Sequence, residues 1–104
     1  MSDVLSQVED WAAKGETVAL ATVVATRKSA PLPPGSKMAV NGRGDVVGAV
    51  SGGCVEGAVV EVAEEIIGGA EPRLLHFGIA DSEAWEVGLP CGGEIDVFVE
   101  RYEP

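Results

Sequence analysis

From Thr17 to Thr26 the chain reads TVALATVVAT, a run of small and β-branched apolar residues with almost no polar alternation. A strand with one wet face alternates in polarity, whereas one that is apolar throughout is covered on both faces. The fold must therefore be built around one central strand with cover on two sides. With 104 residues the chain has about one domain's worth of material for this. Its 46% hydrophobic and 23% charged residues exclude a disordered or collagen-like chain.

The flanking segments supply the cover. Between Ser2 and Lys14, Val4, Leu5, Val8, Trp11 and Ala12 fall at helical spacing, with Ser2 placed to cap the start and Gly15 to end it. Ser29 to Gly35 (SAPLPPG) holds three prolines that lack N–H donors, which predicts a stiff surface loop. Lys37 to Val40 and Val46 to Val50 read as short strands around Asn41-Gly42-Arg43-Gly44-Asp45, a hairpin turn. After Ser51-Gly52-Gly53 helical spacing returns in Val55, Val59, Val62, Ala63, Ile66 and Ile67 until Gly68-Gly69. Arg73 to Ile79 reads as a strand, Asp81 as the cap of a short helical turn through Glu86, and Glu94 to Arg101 as an alternating terminal strand. The expected fold is α/β or α+β: a small mixed sheet, two main helices, one βαβ crossover from Val46 to Ile79, and a β-hairpin. Residues 1–104 form a single domain in this reading.

Net charge is −10, which argues against a non-specific binder of nucleic acid or anionic membrane. Charge is nevertheless uneven, because Thr17 to Gly44 holds Arg27, Lys28, Lys37 and Arg43 and no acid. Those bases either form a local anion site or decorate strand ends. No apolar run reaches the ~18 residues of a membrane span, and the acidic amino terminus is unlike a secretory signal, so a cytoplasmic location is expected. Two cysteines, Cys54 and Cys91, are too few for a disulfide scaffold, and with one histidine they lack the close spacing of structural zinc sites.

The chemistry-bearing segments are Ser51-Gly52-Gly53-Cys54-Val55-Glu56-Gly57, where a strand turns into a helix, and Leu89-Pro90-Cys91-Gly92-Gly93 before the last strand. Glycines let the backbone approach a ligand, and the N–H groups at a helix start attract anions. The same dipole favours thiolate at Cys54, lowering a thiol pKa of ~8.5 toward neutrality and giving a nucleophile or soft metal ligand. Neither the Walker A spacing nor the dinucleotide fingerprint is present. Against these readings, Cys54 is also compatible with a buried small residue and Cys91 with a tight turn. Glu56 either orients the Cys54 loop or stabilises the helix start, and His76 reads as a satisfied core or edge histidine. Trp11 and Trp85 read as core or interface residues.

In order along the chain, Ala21-Thr22-Val23-Val24, Ser29-Ala30-Pro31, Pro34-Gly35-Ser36-Lys37-Met38, Ser51 to Gly57 and Gly88 to Gly93 together resemble the amino-terminal domain of the XdhC/CoxI family, the xanthine dehydrogenase accessory factors. The resemblance implies a maturation factor that binds the molybdenum cofactor, a molybdopterin with a phosphate. Such a factor helps the sulfurated cofactor reach molybdenum hydroxylases such as xanthine or carbon monoxide dehydrogenase, with a cysteine desulfurase as sulfur donor. On this reading Ser51, Gly52, Gly53, Cys54, Glu56, Cys91, Gly92, Gly93, Arg27 and Lys37 contact the cofactor, with Cys54 facing molybdenum. Two departures stand out: Leu32 stands where the family often has a basic residue, and Lys28 where it often has glycine. Many members continue into a carboxy-terminal Rossmann-like domain that is absent here, which implies a separate Rossmann-like chain or a stand-alone, dimeric variant.

Three functions compete. One is cofactor binding and delivery without turnover. Another is a thiol-based sulfur-transfer or redox enzyme using Cys54 and Cys91. The third is a non-catalytic interaction subunit for a Rossmann-like chain.

Overall fold

The computed structural model describes residues 3–27, 32–50, 55–77 and 94–102. Its elements are α1 (Asp3–Ala13), β1 (Val18–Arg27), β2 (Lys37–Asn41), β3 (Val46–Gly48), α2 (Glu56–Ile67), β4 (Arg73–Phe77) and β5 (Glu94–Arg101). The strands form one sheet in the order β3-β2-β1-β5-β4, and every neighbouring pair is antiparallel. The α/β class, the two helices and the β2–β3 hairpin agree with the sequence. The β3-α2-β4 crossover also exists, and β3 and β4 run in the same direction, but they occupy opposite edges of the sheet with three strands between them. The expected short turn from Asp81 to Glu86 lies outside the described residues.

β1 is the central strand, and alternation along it divides the core. Ala19, Ala21 and Val23 join Met38, Val40, Ile95, Val97 and Val99 under α2, which contributes Val59, Ala63 and Ile66. Val18 and Leu20 face the other way with Ala39, against Val8 and Trp11 of α1. Each fully buried valine or isoleucine contributes about 1.5–3 kcal/mol, so both helices are held by packing more than by propensity. α2 spans β2, β1 and β5, whereas α1 packs on β1, β2 and β3 only.

Two polar devices fix the β2–β3 hairpin. Asn41 is buried, and its Oδ1 accepts the N–H groups of Arg43 and Asp45 while its Nδ2 donates to Glu16 Oε1 at 2.9 Å and Asp45 Oδ2 at 3.2 Å. That side chain closes the turn and ties it to the α1–β1 connection. At Gly48 the backbone takes φ +80°, and an added Cβ would lie 2.3 Å from the Lys37 carbonyl oxygen and 2.6 Å from Val4 Cγ2. Only glycine allows β3 to end so close to both β2 and α1.

Asn41→Ala is expected to lower stability by about 2–4 kcal/mol, since it removes at once the four hydrogen bonds that this buried side chain makes. Gly48→Ala is expected to be comparably damaging, because the new methyl meets backbone that cannot move aside. Urea unfolding followed by circular dichroism checks both, and wild-type midpoints would contradict these roles.

Candidate functional site

The sheet has two unlike ends. At one end lie the β2–β3 turn, the α1–β1 connection and the α2–β4 connection. β1, β3 and β4 run toward the other end, and β2, β5 and α2 start from it. Residues 28–36, 49–55 and 78–93 therefore all leave and rejoin the domain at that second end. Both cysteine-bearing segments fall within these connections.

Ser51, Gly52, Gly53, Cys54, Cys91, Gly92 and Gly93 lie outside the described residues, but the residues that anchor them do not. Before the first segment stands buried Val50, whose N–H donates to Glu56 Oε2 at 2.9 Å. The bond joins the two sides of residues 51–55, so the carboxylate acts as a clasp at their base. Val55 occupies the N-cap position of α2 with φ −130° and ψ 12°, and its carbonyl accepts from Val59 N–H at 3.1 Å. The helix thus begins at Glu56, later than the Gly-Gly turn suggested, and Cys54 directly precedes the N-cap.

The second segment ends at Glu94, the first residue of β5, which stands opposite Arg27, the last residue of β1. Next to that pair, Ile95 aligns with Thr26 on one side and Phe77 on the other. β1 outruns β2, because Lys37 pairs with Thr22, well short of Arg27. The end of the proline loop folds back beside Val23, with Gly35 N–H on the Val23 carbonyl and Val23 N–H on the Ser36 carbonyl.

Lys37 is half-buried and its Nζ donates to Thr22 Oγ1 at 3.3 Å. Its neighbour Met38 and the neighbours of Thr22 pack under α2, so alternation directs Lys37 and Thr22 to the α1 side of the sheet. Glu56 begins the helix on the opposite side. The structure therefore brings Glu56 and the base of the 51–55 segment together, and it places the Lys37 ammonium on the other face. The sequence offered orientation of the Cys54 loop as one role for Glu56, but not the partner through which it joins the base of that segment, the Val50 N–H.

Among the described residues no group of three or more His, Cys, Asp or Glu side chains could hold a metal ion. What the arrangement offers is a sheet end where two segments rich in glycine, each bearing a thiol, start from fixed footings.

The XdhC and CoxI family profile matches residues 11–78, and the chain belongs to that family. It is 36% identical over 88 residues to the molybdenum cofactor insertion chaperone PaoD of Escherichia coli, a match covering 84% of this chain and 27% of PaoD. It is 32% identical to a probable xanthine dehydrogenase subunit of Bacillus subtilis, covering 83% of this chain and 27% of that protein. A crystal structure described as a xanthine dehydrogenase from Bacillus halodurans superposes with a TM-score of 0.78 at 28% identity, covering 99% of this chain and 31% of that one. The chain thus spans about a quarter to a third of the length of these relatives.

Glu56→Ala is expected to cost about 1–3 kcal/mol by leaving the Val50 N–H without its carboxylate, whereas Glu56→Gln keeps an acceptor and recovers most of the loss. Chemical denaturation of the three proteins separates these outcomes; equal losses in Ala and Gln would contradict the clasp.

Proposed function

We propose that this domain holds the molybdenum cofactor as cargo at the end of the sheet carrying residues 49–55 and 78–93, and passes it to a molybdenum hydroxylase. The observation that carries the reading is that both cysteine-bearing segments are anchored at the same end of the sheet, in a chain of the XdhC and CoxI family related to a chaperone named for cofactor insertion. In this reading Ser51, Gly52, Gly53, Gly92 and Gly93 present backbone N–H groups to the phosphate and pterin. Cys54 and Cys91 offer thiolates, the ligand type that suits a soft metal–sulfur centre, with Cys54 toward molybdenum. Glu56 holds the Cys54 segment in place through Val50, and Arg27, at the tip of β1 opposite Glu94, supplies positive charge. Lys37 serves from the α1 side of the sheet.

Holding and delivery need no turnover. Acceptance of sulfur from a cysteine desulfurase, hand-over to xanthine or carbon monoxide dehydrogenase, action in the cytoplasm, and assembly as a dimer or with a Rossmann-like chain belong to the same proposal. No helix among the described residues is long and apolar enough to cross a membrane.

Anaerobic incubation of wild type and Cys54→Ser with molybdenum cofactor, followed by gel filtration and fluorescence assay of the oxidised pterin, tests the proposal. Pterin should co-elute with wild type and fall at least tenfold with the variant. Absence of pterin from the wild-type peak would overturn it. The thiol-enzyme reading predicts instead that Cys54 alkylates faster than a free thiol at neutral pH.

A further inference from the structure

Position 76 holds the chain's one histidine. It stands on β4 opposite Asp96 of β5, with Nδ1 2.6 Å from Asp96 Oδ1 and Nε2 3.8 Å from Glu94 Oε1. The His76 side chain is 58% exposed, while those of Asp96 and Glu94 are 17% and 22% exposed. Two largely covered carboxylates therefore face one open ring from the neighbouring strand.

A neutral imidazole has a single N–H. Donated from Nδ1 to Asp96, it leaves the Nε2 lone pair turned toward the Glu94 oxygen. The imidazolium carries an N–H on each side and meets negative charge at both. We propose that His76 is a protonation-dependent staple joining the end of β4 to the start of β5: the charged ring ties both Asp96 and Glu94, and the neutral ring ties Asp96 alone. The staple stands on this geometry and does not depend on the identity of any cargo. Its consequence is local, because these two strand ends flank residues 78–93.

From β5 the groups facing the ring are Asp96 and Glu94, and on β4 its same-face neighbour is Leu74. One strand further in, Ala25 lies opposite Asp96 and Arg27 opposite Glu94. α2 lies against the other face of β4, where Glu65 pairs with Arg73 at 2.6 Å and Phe77 joins the apolar cluster under the helix. An arginine keeps its charge throughout the range of interest, carboxylates ordinarily titrate near pH 4, and thiols near 8.5. Histidine is the side-chain type whose charge change ordinarily falls between about pH 5 and 8, which sets the two pH values of the test. The extra tie is present while the ring is protonated and absent once it is neutral.

Amide hydrogen exchange of the full chain, read by NMR as protection factors so that the intrinsic pH dependence of exchange is removed, tests the staple. Amides of Phe77, Ile95 and Asp96 should be protected about two- to fivefold more at pH 5.5 than at pH 7.5, the range expected of a partly exposed ion pair. Val59 and Ala63 in α2 should show no such change. The difference should vanish in His76→Gln, which keeps a hydrogen-bonding side chain that does not titrate, and shrink in Glu94→Gln, which leaves the Asp96 bond intact. Equal protection at both pH values in the wild type, or the same dependence in His76→Gln, would overturn the proposal.

Discussion

Everything in this domain is arranged around the burial of β1 on two faces and both edges. The strand is hydrogen-bonded to β2 on one side and β5 on the other, and its alternate side chains enter two separate apolar clusters. One helix cannot cover both faces of a sheet, so α1 and α2 are both required. Their division of labour is unequal: α2 reaches from β2 across to β5, while α1 stays over the β3 side. A polar substitution at Val18, Ala19, Leu20, Ala21 or Val23 would leave an unpaired group between packed layers, whereas Val24 is exposed on the part of the strand that α1 does not cover.

The same strand sets up the site, because it extends beyond β2 while remaining paired with β5 to its last residue. The sheet consequently has a stepped end, with β1, β5 and β4 projecting past the start of β2. Turns at the opposite end are closed by dense local bonding, above all the Asn41 network with Glu16, Arg43 and Asp45. The stepped end instead collects the three connections that hold the prolines of the loop and both cysteines. Under the proposed function, stability and chemistry fall at different ends of one small sheet, an arrangement familiar where loops on a rigid scaffold carry function.

Much of the fold was legible in the sequence wherever the signal was local. β5 runs from Glu94 to Arg101 as its alternation predicts, β1 is central as its apolar run requires, and both helices present apolar stripes read from their spacing, except that Leu5 of α1 is exposed. What was not legible depends on pairing between distant segments. Nothing in the sequence from Val46 to Ile79 says that its two strands stand at opposite edges, since strand order is decided by which partners cover β1. His76 could be read only as a core or edge histidine; its carboxylate neighbours are fixed by the β4–β5 register, twenty residues away along the chain. For the candidate site, the motifs marked Cys54, Cys91 and their glycines, and topology sets their flanks at the same end of the sheet. Alternation along β2 then separates Lys37 from Glu56, a distinction that charge patterning cannot make.

The proposed function needs both cysteine-bearing segments around one cargo, with their thiols within reach of each other. Cys54 and Cys91 are the chain's two cysteines, so a short bis-maleimide added to the reduced protein reports on them alone. Mass spectrometry of the monomer should find a single reagent bridging peptides that contain Cys54 and Cys91. Two reagents attached separately, with no bridged species even at limiting reagent, would show that the thiols stay apart and would contradict the account.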